Sequence, residues 1–84
     1  MKLNLVYFAW VRERIGLDGE TRELPGTATV TDALEALKAI GPGYQAALAE
    51  PQRLRFALDQ DFVGKDAALK DGAELAIFPP VTGG

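Results

Sequence analysis

The stretch "TVTDALEALKAIGP", residues 29–42, has little choice of conformation. Thr29 is a good N-cap, and Asp32 three residues later completes a capping-box pair at the positive end of the helix dipole. Val30, Ala33, Leu34, Leu37 and Ile40 recur at helical spacing and form one apolar stripe. Gly41 suits the left-handed position after the last turn, and Pro42 forbids continuation. The spacing predicts one main helix over residues 30–40, with a single face that must be covered.

What can cover it is mostly strand. Residues 2–9 alternate with a period of two: Leu3, Leu5, Tyr7 and Ala9 read as inward, with Lys2, Asn4, Val6 and Phe8 on the other face. "WVRERIG" reads as a short irregular or helical turn closed by Gly16, and Asp18–Gly19 as a turn. "ETRELP" then supplies a second short strand that Pro25 ends. "GYQAALAE" adds two helical turns before Pro51. "RLRFALD" alternates with Leu54, Phe56 and Leu58 inward, "DQD" is a turn, and "FV" begins a brief return strand. After an Asp71–Gly72 turn the last strand carries Leu75 and Ile77 on one face and Glu74, Ala76 and Phe78 on the other. A helix packed on one face of a mixed sheet is an α+β fold. Periodicity sets that class and leaves the topology open.

Composition narrows the function. Eighty-four residues make one domain, and 48% hydrophobic with 25% charged residues is ordinary for a globular one. No apolar run is long enough to span a bilayer, and "MKLNLVYFAW" lacks a cleavage site, so a cytoplasmic protein without a membrane association is expected. The chain has no cysteine and no histidine. That removes thiolate chemistry, sulfur-ligated metals, the usual general base and the commonest metal ligand, so neither a stand-alone enzyme nor a metal site is expected. The net charge is −3, and no basic cluster interleaves with aromatics, which gives nucleic-acid binding no support. Arg53 and Arg55, at strand spacing, read as a solvated strand face.

Two features remain. Phe8 and Phe78, with Val6 and Ala76, lie on the face away from the inferred core, and Phe62 opens the short strand between. If the first and last strands are neighbours, these residues form one apolar area suited to a partner. Beside it, Pro79 and Pro80 end the last strand and send the chain out as an extended segment, and Val81, Thr82, Gly83 and Gly84 follow with no charged or bulky side chain. Glycines thread narrow channels, and the terminal carboxylate is ionised at neutral pH. A carboxylate is a poor electrophile, so its use requires activation, for instance as an acyl-adenylate made by another protein.

"DGAELAIFPPVTGG", with "LVYFAWVRERIG" and the helix opened by "TVTDAL", closely resembles the small subunits of molybdopterin synthase, ubiquitin-like sulfur carriers. The resemblance runs from end to end and is most specific at "FPPVTGG". It implies a β-grasp domain over residues 1–80, with first and last strands adjacent and parallel in mid-sheet, and a flexible Gly–Gly tail over 81–84. It also implies that an ATP-dependent, ubiquitin-activating-type (E1-like) enzyme adenylates Gly84, and that sulfur from a persulfide donor protein then displaces AMP to leave a thiocarboxylate. The large synthase subunit, as a dimer flanked by two carriers, uses that sulfur to convert cyclic pyranopterin monophosphate to molybdopterin. The chain itself binds no cofactor in this scheme; the ATP belongs to the activating enzyme. By position, Gly83 and Gly84 match the reactive tail, and Phe8, Phe62, Phe78, Pro79, Pro80, Val81 and Thr82 match partner-contacting positions. Arg12 matches an arginine after the first strand, with a surface ion pair to Glu13 or an aspartate as its alternative role. Asp59 stands where relatives often have asparagine, and Trp10 is not a family signature. Carriers for thiamine synthesis or tRNA thiolation, and protein modifiers, share the fold and the ending.

Overall fold

The alternation that opens the chain becomes strand β1 (Lys2–Tyr7), and Leu3, Leu5 and Tyr7 are its buried residues. The computed structural model describes residues 1–25 and 28–80. The strand stops short of the alternating run. Phe8 is still extended, but Ala9 turns into the left-handed region at φ 52°, and the chain enters helix α1 (Ala9–Ile15). Ala9 is therefore exposed rather than inward. Gly16, at φ 92°, closes α1 by donating its N–H to the Arg12 carbonyl, the task for which a residue without Cβ is suited.

Strand β2 (Gly19–Glu23), helix α2 (Val30–Lys38), helix α3 (Pro42–Leu48) and a 3-10 turn (Pro51–Arg53) follow, then β3 (Arg55–Leu58), β4 (Asp61–Val63) and β5 (Glu74–Phe78). The capping box of α2 forms in full: the Asp32 N–H donates to Thr29 Oγ1 at 3.3 Å, and the Thr29 N–H to Asp32 Oδ2 at 3.1 Å. The helix ends at Lys38, two residues before the expected stop. Gly41 is not its left-handed cap. Its backbone is extended at φ 174°, and it caps the start of α3, in which Pro42 occupies the first position. The proline that forbids α2 from continuing thus opens a new helix, and Ile40, at the joint, is 39% exposed instead of packed. Arg53 likewise leaves its expected place, since it sits in the 3-10 turn and not on β3.

The five strands form one sheet in the order β2-β1-β5-β3-β4. β1 and β5 are adjacent and parallel, in register Asn4 to Tyr7 against Glu74 to Ile77, and the other pairs are antiparallel. One face of the sheet presents Leu3, Leu5, Tyr7, Phe56, Leu75 and Ile77 to the stripe of Val30, Ala33, Leu34 and Leu37 on α2, all buried in one cluster. The β3–β4 hairpin turns on Asp59 and Gln60, both at positive φ as a tight two-residue hairpin requires. Asp59 also ties the turn to β5: its N–H donates to the Glu74 carbonyl and its Oδ1 accepts the Glu74 N–H, both at 2.9 Å.

Helix α3 holds α1 and the sheet together. A Cβ added to Gly43 would lie 2.8 Å from the Arg14 carbonyl oxygen, so the two helix backbones meet where only glycine fits. On the sheet side, the Tyr7 and Tyr44 hydroxyls both donate to Glu20 Oε2, at 2.8 and 2.7 Å. Arg22 Nε donates to Glu20 Oε1 at 2.8 Å, and Arg22 Nη2 to the Tyr44 hydroxyl at 3.1 Å. Burial, and then the hydrogen bond to Glu20, raise both phenols above the ordinary tyrosine pKa.

Two outcomes follow. Gly43→Ala lowers the unfolding free energy by about 1–3 kcal/mol in urea titration, because backbone must shift to admit the methyl group. Both phenols hold their protons more tightly folded than unfolded, so their contribution to stability is complete below about pH 10 and is lost as pH rises beyond it. Urea unfolding across alkaline pH will show that decline, and Tyr7→Phe will make it shallower.

Candidate functional site

On the outer face of the sheet the strand register lines up Val6, Ala76, Ala57 and Phe62 across β1, β5, β3 and β4. Directly opposed residues share a face, so the row runs from a half-buried valine over two alanines to a phenylalanine on the edge strand. Ala57 and Ala76, at the middle of the row, are buried. Phe78, two residues along β5 from Ala76, stands on the same face opposite Arg55. Its ring centroid is 6.3 Å from that of Phe8 in an edge-to-face contact, and 5.9 Å from that of Phe62 in a tilted one.

These contacts hold the three rings together without hiding them. Phe62 is 83% exposed and Phe8 47%. Phe62, Phe78, Arg55, Phe56, Val63 and Pro80 wall an open hollow of about 450 Å³. Small globular proteins rarely leave a contiguous aromatic surface to water, which makes this face a candidate binding surface. The expected Phe8–Phe62–Phe78 cluster is therefore formed, and Pro79 and Pro80 continue directly from it. Ala76, expected within the exposed area, lies beneath it.

Arg12 is exposed on α1 and makes no ion pair with Glu13 or any aspartate among the described residues. Its alternative role as a surface pair partner is not realised. The predicted tail residues Val81, Thr82, Gly83 and Gly84 lie outside the described residues.

Sequence reasoning missed the other side of the tail root. Trp10, Gln52, Arg53, Pro79 and Pro80 surround a second open hollow of about 260 Å³, and Pro80 belongs to both hollows. The available signal was local: Trp10 and Arg14 are four apart on α1, the spacing at which helical side chains meet. Arg53 comes from a distant segment, and nothing in its neighbours along the chain announces the meeting.

A mixed five-stranded sheet with its first and last strands paired at the centre and one face covered by helices defines a ubiquitin-like β-grasp protein. Comparison with known proteins agrees. The ThiS family model matches residues 5–84. The molybdopterin synthase sulfur carrier subunit of Haemophilus influenzae is 40% identical over 82 residues, which cover 98% of this chain and 99% of the relative. The small archaeal modifier protein 3 of Haloferax volcanii is 32% identical over 92 residues, covering 100% of both. The crystal structure of SAMP1 from Haloferax volcanii superposes with a TM-score of 0.76 at 29% identity, covering 100% of each chain. The chain belongs to the ThiS family.

The two exposed strands differ as places to probe the surface. Phe62→Asp removes a ring that packs little, so unfolding free energy should change by no more than about 0.5 kcal/mol. Phe78→Asp puts a charge between two rings on a half-buried strand position, and a clear loss of stability in the same urea titration is expected.

Proposed function

We propose that this chain is a sulfur carrier in molybdenum cofactor biosynthesis. The observation that carries the reading is the continuity of the Phe8–Phe62–Phe78 surface with Pro79 and Pro80, which brings a docked partner to the root of the "VTGG" tail. The name borne by the Haemophilus influenzae relative supports the pathway.

In this reading the chain does not catalyse; it delivers. An activating enzyme transfers AMP from ATP to the Gly84 carboxylate, which turns a poor electrophile into an acyl-adenylate. The terminal sulfur of a persulfide protein attacks that carbonyl and AMP leaves, giving an acyl disulfide. A second thiol on the donor or activating enzyme then attacks the donor-side sulfur, forming a disulfide there and releasing the thiocarboxylate on Gly84. The large subunit of molybdopterin synthase then grips the aromatic surface and draws in the tail. Gly83 and Gly84, without side chains, let the thiocarboxylate approach bound cyclic pyranopterin monophosphate closely. Phe8, Phe62, Phe78, Pro79 and Pro80 bind the partner, Val81 and Thr82 line the path inward, and Arg12 contributes charge at the rim.

Intact-mass analysis after incubation with ATP, the activating enzyme and a sulfur source is expected to show one oxygen exchanged for sulfur, located at Gly84. Deleting Gly84 should abolish the exchange, and an unchanged mass with a demonstrably active enzyme would sink the reading. Burying one phenylalanine side chain contributes about 2 kcal/mol, so Phe62→Asp should weaken binding to the large subunit roughly thirtyfold or more. The similarity to a small archaeal modifier protein favours a second reading, attachment of Gly84 to a lysine of another protein. Isopeptide-linked adducts without thiocarboxylate would select it.

A further inference from the structure

Trp10 is the sole tryptophan of the chain, half-buried on α1 with two guanidinium groups near its ring. The Arg14 Cζ lies 4.4 Å from the ring centroid, and that of Arg53 lies 5.9 Å away. Arginine stacked on an aromatic face keeps its N–H edge free for a carboxylate. Neither guanidinium has a strong partner. Arg14 reaches the Ala46 carbonyl only at 3.5 Å. Arg53 meets Glu50 at 3.8 Å with both side chains largely exposed, a kind of pair that contributes little and is readily exchanged.

The distribution of charge points the same way. Of the five arginines, Arg12, Arg14, Arg53 and Arg55 occupy two short segments that meet around the tail root, although the chain as a whole carries −3. No lysine lines either hollow. Arginine is the cation enriched at protein interfaces and the one suited to forked recognition of carboxylates. The second hollow, walled by Trp10, Gln52, Arg53, Pro79 and Pro80, is too small for a helix, and the Arg53 guanidinium in its wall disfavours a purely apolar occupant. Because Pro80 borders both hollows, a partner that covers the phenylalanines and follows the tail reaches this one as well.

We infer that the Trp10–Arg53 hollow is a second docking subsite, which receives an aspartate or glutamate carboxylate from the large subunit of molybdopterin synthase. The inference rests on the proposed function, since it extends the same docking event to the α1 side of the tail. The carboxylate accepts from Arg53, the Gln52 amide supplies a further donor, and the indole and prolines exclude water from the pair. The aromatic face supplies contact area, and this subsite supplies register and electrostatic steering.

A single tryptophan gives a single reporter. In carrier labelled with fluorotryptophan, the one fluorine resonance should move when the purified large subunit is added. Arg53→Glu should weaken that binding at least about tenfold, since it sets like charges face to face. Gln52→Glu, a second exposed position in the same wall, should weaken it in the same sense. Lys70→Glu, an equal charge change beyond the far end of β5, should stay within about twofold of the unmodified chain. If the unmodified chain binds while the resonance stays still and Arg53→Glu binds equally well, the subsite is overturned and the sulfur-carrier reading stands. If the unmodified chain does not bind at all, the proposed function falls, and the subsite with it. A resonance moved without any partner, by deleting residues 83–84 or by raising concentration, would assign the hollow to the chain's own tail or to a second copy, and would also overturn the inference.

Discussion

The parallel pairing of β1 with β5 is the constraint on which the rest of the structure depends. It joins the first strand to the last, in register from Asn4–Glu74 to Tyr7–Ile77, at the centre of the sheet. Parallel neighbours run the same way, so both strands end at one edge of the sheet. There Phe8 turns into α1 and Phe78 passes into Pro79 and Pro80, with their rings in edge-to-face contact. An antiparallel pairing would have sent the tail out at the opposite edge, away from Phe8. A parallel pair also needs a long crossover between its strands. Here α2 and α3 lie within that crossover and cover the inner face of the sheet.

The two faces of the sheet differ in how completely they are closed. The inner face is closed by leucines, Ile77 and Phe56 against α2, and one edge of this layer is fastened by Glu20 accepting from two tyrosines and Arg22. The outer face has two alanines at its centre and phenylalanines around them. Small residues among large exposed rings cost little packing and leave apolar area open to water. The short edge strand β4, only Asp61–Val63, carries the most exposed of the rings, and its shortness limits the open backbone edge available for unwanted pairing.

Much of this was readable along the chain, and the exceptions share a cause. The α2 capping box and the inward set Leu3, Leu5, Tyr7, Phe56, Leu75 and Ile77 follow from local patterns that tertiary contacts did not override. Ala9 left the alternating face because the chain needed a sharp turn into α1, and an alanine at positive φ carries no sequence mark of that need. Gly41 and Ile40 were misplaced because a glycine before proline ends one helix and begins the next in much the same words. On the site, alternation alone put Phe8 and Phe78 on the outer face. It had no means of bringing Arg53 to Trp10, since their contact belongs to two segments that meet only when α1 packs beside the 3-10 turn.

The sequence by itself determined the secondary-structure class, the inward residues of β1, β3 and β5 and of the α2 stripe up to Leu37, the lack of histidine and cysteine, and the Pro–Pro to Gly–Gly ending. These are properties of composition and short-range periodicity, which a chain carries before it folds. Only the tertiary structure decided that Phe8 after β1, Phe62 in β4 and Phe78 at the end of β5 share one surface, that this surface adjoins the tail root, and that arginines from two remote segments close on one tryptophan. Those juxtapositions depend on strand order and helix packing, and neither has a local signature.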